Sequence, residues 1–320
     1  MTETETLRRP GRRQVLAGGI TALLAAAAKP SRAAAPRTLR ISAQESSILF
    51  QIARSRNLLE PALHNAGFET VWSTLGHSPV EMGQVDFLSD VAEAVPTFIH
   101  RVFPDLALYA AEGPSPHALG ILTRKDRNIT SVRALAGRSV CVAKSGSALD
   151  LLIRSLQQAD LKLSDIHTIF LPEPGCLQAF RTGSVDAWAT FDPFLTFGRA
   201  LPEAAVLTDG AAAGMQYNRY YMANRNFVRD NPQTVPLIRT ALKDAAAWIA
   251  ANRDEAAKTL SEHWQNMPVE IVSQVLRSRT FSIRPADQSD IAALQDIAAR
   301  YTAAGILAPG SDMSTIPLIA

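Results

Sequence analysis

From Thr38 onward, short runs of β-branched and apolar residues alternate with amphipathic stretches. A chain patterned in this way buries both kinds of face by laying helices on a largely parallel sheet. Thr38 to Ser42 reads as a strand, Ser47 to His64 as a helix, Phe68 to Leu75 and Val85 to Leu88 as strands. A helix around Ala92 to Val102 and strands at Leu106 to Ala111 and Leu119 to Thr123 complete this first unit. Beyond Asp126 the pattern restarts for roughly 100 residues, within the ordinary size of one α/β unit. It has a short helix at Val132 to Leu135, then strand Ser139 to Ala143, helix Ser147 to Ala159 and strand Thr168 to Leu171. Helix Cys176 to Arg181, strand Asp186 to Thr190, a helix opened by Asp192-Pro193 and strand Ala205 to Leu207 follow. A last strand, Tyr220 to Ala223, leads into a region made helical by apolar positions such as Leu237, Ala241, Ala245, Trp248, Ile291, Leu294 and Ile297. Those helices need a sheet to cover, and the first unit lacks enough of its own.

The expected architecture is therefore α/β with two lobes. Residues 34–120 form the first, 121–221 the second, and 222–320 return to the first. Crossing strands near Leu119 to Thr123 and Tyr220 to Ala223 leave a cleft between the lobes. Ligands of such sheets bind beyond the carboxyl ends of the strands.

The N-terminus points to where the chain works. Arg12 and Arg13 precede the apolar run Val15 to Ala28 and the small-residue segment Ser31-Arg32-Ala33. A membrane span needs about 20 apolar residues, and this run ends at Lys29. Residues 1–33 thus read as an export signal that approximates the twin-arginine pattern, cleaved after Ala33, and the chain is expected in the periplasm. Six of the 32 basic and two of the 30 acidic residues lie in the signal, so the remainder carries 26 and 28. No basic run survives there, and a nucleic-acid partner is not expected.

Signals of catalysis are thin. The six histidines show no metal-type spacing, and the chain lacks a G-x-S-x-G elbow, a Walker loop and a G-x-G-x-x-G after its first strand, so neither metal nor cofactor is expected. Cys141 sits in an apolar strand run and Cys176 lies 35 residues on; the pair could be a disulfide or two free thiols.

Three junctions between strand and helix carry candidate binding groups. Gln44-Glu45-Ser46-Ser47 follows the first strand and Lys144-Ser145-Gly146-Ser147 the strand of Cys141. Unpaired amides at a helix start, helped by Ser46, Ser47, Ser145, Ser147 and a permissive Gly146, can hold an oxyanion. Alternatively Ser147 caps its helix with Asp150 as the capping-box partner. The third junction is Asp192-Pro193, a helix start by residue type. Trp188, just before it, faces either the core or the cleft.

Nearly the whole chain after the signal resembles the periplasmic substrate-binding proteins of ABC importers for aliphatic sulfonates, nitrate and taurine. The resemblance is carried by Gly183-Ser184-Val185-Asp186-Ala187-Trp188 with Asp192-Pro193-Phe194. It is supported by Asn57-Leu58-Leu59-Glu60, Ala134-Leu135-Ala136-Gly137-Arg138, Lys144-Ser145-Gly146-Ser147 and Tyr220-Tyr221-Met222-Ala223. It implies a type II periplasmic-binding-protein fold that closes as a monomer on one small organosulfur anion and docks on an inner-membrane permease. By position it implies cleft roles for Gln44, Ser46, Ser47, Ser145, Gly146, Ser147, Trp188, Asp192 and Tyr221. Glu93, in a loose match to a family segment, would join them. Two carboxylates, Glu93 and Asp192, beside an anion suit a zwitterion such as taurine. The segment between Leu75 and Asp86 is several residues shorter than the family's. Other outcomes are a binding protein for nitrate, or an enzyme on the same fold, a desulfinase or a pyrimidine-precursor synthase. A desulfinase would need a nucleophilic cysteine, for which only Cys176 is placed.

Overall fold

Two mixed sheets organise the chain in the computed structural model, which describes residues 35–44, 46–74, 84–264 and 266–320. The export signal with Arg12 and Arg13, Glu45, and most of the short segment after Leu75 lie outside the described residues. The first sheet has six strands in the order β11-β4-β10-β3-β1-β2. Its parallel part is β1 (Arg37–Ala43), β2 (Phe68–Thr74) and β3 (Phe87–Ala92). Strand β10 (Arg219–Asn224) runs antiparallel between β3 and β4 (Leu106–Glu112), and the two-residue β11 (Ile283–Arg284) edges β4. The second sheet, ordered β7-β6-β8-β5-β9, contains β5 (Leu119–Arg124), β6 (Ser139–Val142), β7 (His167–Phe170), β8 (Ala187–Phe191) and β9 (Ala204–Asp209). Here β6, β7 and β8 are parallel and β5 opposes both β8 and β9.

The chain leaves the first sheet after β4 and re-enters it at β10, so both crossings are flanked by strands antiparallel to their neighbours. The crossing segments pack closely. A Cβ at Gly210 would sit 2.5 Å from the Pro116 carbonyl oxygen, and Gly113, at φ +134°, would bring one 2.8 Å from Asn218 Oδ1. Only glycine allows both approaches.

Strand alternation decides which helices each face receives. On one face of the first sheet, Leu39, Ile41, Phe87 and Tyr109 pack under α1 (Ile48–Ser55), α8 (Thr234–Ala251), α9 (Arg253–His263) and α10 (Val269–Ser278). The other face, through Leu88, Leu108 and Met222, receives α11 (Gln288–Ala303) and runs on into Ile121, Val140 and Val142 under α4 (Ser147–Gln158). Three short helices complete the early order: α2 (Glu60–Asn65), α3 (Val95–Ile99), and α5 (Glu173–Arg181). Helices α6 (Phe194–Arg199) and α7 (Arg225–Asp230) follow β8 and β10. The C-terminal helices do cover the first sheet.

The single helix expected over Ser47 to His64 is two. Asn57, at φ +52°, turns the chain out of α1, and Pro61 sits in the first turn of α2. The helix expected over Ala92 to Val102 is reduced to α3, because β3 runs through Ala92.

Candidate ligand-binding site

Contacts between the two sheets' units come from Ala94, just after β3, on Ser147 at the helix start that follows β6, and from Ser278 on Asp192, just after β8. After β1, the Ser47 N–H donates to the Gln44 carbonyl at 3.0 Å and the Gln44 backbone N–H donates to Ser89 Oγ. Ser46 Oγ donates to Gln44 Oε1 at 3.3 Å, and fully buried Ser47 donates to Asp90. After β6, Ser145 is exposed while Gly146 and Ser147 are buried. The Ser147 hydroxyl accepts the Ala94 amide at 3.3 Å, which ties the start of α4 to the carboxyl end of β3. The two serine hydroxyls therefore meet the same stretch of chain, Ser47 at Asp90 within β3 and Ser147 at Ala94 just after it, and neither α1 nor α4 is capped by a side chain. The amides of a helix's first turn have no intrahelical acceptor, which leaves those of α1 and α4 free of side-chain caps.

Several expectations change. Asp150 is no capping-box partner: it is wholly buried and receives Arg154 Nε at 2.8 Å and Arg300 Nε at 2.7 Å. Gly146 is not needed for space or strain, since its φ is 172° and a Cβ there meets nothing within 4 Å. Its carbonyl instead accepts the Tyr301 hydroxyl at 2.8 Å. Asp192 precedes a cis peptide to Pro193 and accepts from Thr196 N–H at 3.0 Å and from the Thr196 and Ser278 hydroxyls, so both its oxygens are engaged.

Trp188 is a core residue. It alternates with Ala187 and Ala189, so its ring turns to the second sheet's outer face, against Phe180 and Phe194. Its indole N–H donates to Glu173 at 3.1 Å. Tyr221 is likewise buried, its ring beside Phe50 and its hydroxyl bonded to Glu112 at 2.5 Å. Cys176 lies in α5 rather than in a loop and is joined to Cys141 by a disulfide, which removes the thiol that the desulfinase outcome required.

The sequence reading missed the buried charge pairs. Asp90 pairs with Arg219 and Glu112 with Arg279, and all four are buried. The available signal was a charge inside an apolar strand run: Asp90 in Phe87–Ala92, Glu112 ending Leu106–Glu112 and Arg219 opening Arg219–Asn224. Glu93 accepts the Asn218 amide at 2.9 Å. Burial pushes its carboxyl up to about 7, with the Asp150 charge adding to the rise and the Asn218 bond, Arg154 and Arg300 opposing it. Burial also raises Asp192, against Ser278, Thr196 and Arg279. Glu173 is likewise pushed up to about 7 by burial, against its bonds from Thr190 and Trp188.

These shifts have a sign. A carboxyl with a raised folded-state pKa contributes stability that is complete below its ordinary value of 4.5 and is lost as pH rises through 7. Each of Glu93 and Glu173 weakens the fold by up to about 3 kcal/mol across that window. The melting temperature should fall between pH 5 and pH 8, and Glu173→Gln should flatten part of that slope. A melting temperature that rises over the same range would contradict the burial of these groups.

Among the described residues no cluster of three or more His, Cys, Asp or Glu could hold a metal, and no helix is long and apolar enough to cross a membrane.

Known proteins resemble the chain in sequence and in fold. The chain is 30% identical over 264 residues, 81% of its own length and 82% of the relative's, to a protein of Escherichia coli (strain K12) described as aliphatic sulfonates-binding. The chain belongs to the aliphatic sulfonates-binding family. Residues 115–256 also match the family described as NMT1/THI5 like. Among solved members of the sulfonates-binding family, the periplasmic aliphatic sulphonate binding protein SsuA from Escherichia coli aligns with a TM-score of 0.81 at 26% identity. That alignment covers 89% of this chain and 92% of SsuA. The alkanesulfonate-binding protein SsuA from Xanthomonas axonopodis pv. citri, bound to MOPS, aligns at 0.77 and 25%, covering 88% and 97%. The fold is thus the α/β periplasmic-binding-protein fold of this family.

Proposed function

We propose that the chain is a periplasmic solute-binding protein of an ABC importer, which holds a small aliphatic sulfonate in the gap between its two sheets and delivers it to a membrane permease. The observation that carries this reading is the convergence of two uncapped helix starts, α1 and α4, on the carboxyl end of β3. Such starts favour an oxyanion with three acceptors. The sulfonates-binding relatives supply the class of ligand. Residues 34–120 and 222–320 would act as one lobe and 121–221 as the other, with ligand shifting the population toward the closed form.

An ammonium-bearing ligand is disfavoured relative to a plain alkanesulfonate. Both Asp192 oxygens are already satisfied within the protein, which leaves Glu93 alone to face a second charge. Residues 1–33 would direct export through the twin-arginine machinery, and Arg12→Lys with Arg13→Lys should retain the protein in the cytoplasm.

Thermal-shift titration with ethanesulfonate, MOPS, taurine and nitrate tests the reading. At 100 times its Kd a ligand adds about 2.7 kcal/mol, which raises the melting temperature by about 5–10 °C. Ethanesulfonate, which carries no ammonium, should do this at lower concentration than taurine or nitrate. A shift with nitrate alone would move the assignment to nitrate, and no shift with any of them would end it.

A further inference from the structure

We infer that Arg279 is the cation that recognises the anionic head group of the ligand. The inference rests on the binding function proposed above and deepens it by naming a specificity-determining residue outside the helix starts.

Arg279 follows the last residue of α10 and is more than nine-tenths buried, at 8% exposure. Its guanidinium uses Nη2 on the Glu112 carboxylate, and its Nε has no hydrogen-bond partner among the described residues. A buried, charged N–H without an acceptor is rare in a folded chain, because its desolvation is uncompensated. The Phe281 ring lies 5.8 Å from the guanidinium carbon and covers the group from one side, so Nε can be satisfied only in the plane of the fork.

The neighbours place Arg279 between the two sheets. Ser278, one residue back, donates to Asp192 at the carboxyl end of β8, and the Thr280 amide, one residue on, donates to Ser115 in the outward crossing. Arg279 therefore stands where a first-sheet helix meets the second sheet's ligand-side junction. Arg219 has Asp90 and the Tyr217 hydroxyl as partners, whereas Arg279 retains an unused N–H donor that a sulfonate oxygen can accept. Glu112 lowers the net attraction of the site, because it neutralises Arg279 and also accepts Tyr221.

Removing Arg279 alone strands Glu112 in the core, so the test uses the double variant Arg279→Gln with Glu112→Gln, which keeps the shape and removes both charges. Calorimetric titration of the full chain with MOPS should show affinity at least tenfold weaker in the double variant at unchanged stoichiometry, with its urea midpoint near that of the parent. Glu112→Gln alone should tighten MOPS binding several-fold, since Arg279 then loses its competing carboxylate. Titration with inorganic sulfate should follow the same order, which separates recognition of the head group from contact with the organic tail. Parent-level MOPS affinity in the double variant would overturn the role of Arg279 while leaving the binding function intact. Absence of MOPS, ethanesulfonate, taurine and nitrate binding by the parent would instead refute the function itself.

Discussion

Asp90→Ala is expected to remove about 3–5 kcal/mol of stability, the range for stripping one partner from a buried ion pair. Asp90 is 1% exposed in the middle of the first sheet and holds both Arg219 and the Ser47 hydroxyl. Without it the Arg219 guanidinium stays in the core bonded to the Tyr217 hydroxyl, 3.3 Å away and uncharged. Urea denaturation should therefore show a lower midpoint with an unchanged slope. Asp90→Leu combined with Arg219→Met should restore most of the loss, because neither charge is then left alone. Restored stability would not bring back ligand binding, since Ser47 loses the acceptor that fixes the first turn of α1. A loss below about 1 kcal/mol in Asp90→Ala would mean that water reaches the pair.

The second large effect concerns the disulfide. Cys141 in β6 and Cys176 in α5 are each fully buried and separated by 35 residues. Closing a loop of that length restricts the unfolded chain by about 4 kcal/mol. Replacing both cysteines with serine also places two hydroxyls among Leu122, Phe180 and Trp188. The melting temperature should fall by about 10 °C or more. The start of α5 carries Glu173, which accepts from both Trp188 and Thr190, so near-ultraviolet circular dichroism from Trp188 should change as well. An unchanged melting temperature would show that packing of α5 on β6 and β8 is sufficient without the covalent link.

The alternation of strand and helix patterns made the two-sheet fold legible, because each run had to bury a face of known period. The return of the chain to the first sheet was legible for the same reason, as a surplus of amphipathic helices without a partner. The position of Trp188 was not, since a strand residue's face depends on which neighbour covers it, and Phe180 and Phe194 come from helices on either side of it in sequence. The buried charges were hidden by distance along the chain. Asp90 and Arg219 are 129 residues apart, Glu112 and Arg279 are 167 apart, and no local pattern links them. Ser147 illustrates a subtler limit. Its place at a helix start was readable, but its use as an acceptor for Ala94 depends on how closely the second sheet's helix approaches the first sheet.

The most direct test of the account is a crystal structure of the chain with MOPS, with the ligand sulfur located by its anomalous signal. The account predicts that sulfur between the carboxyl ends of the two sheets, with sulfonate oxygens on backbone amides at the starts of α1 and α4. A sulfur bound elsewhere, with those amides facing only protein or solvent, would contradict it.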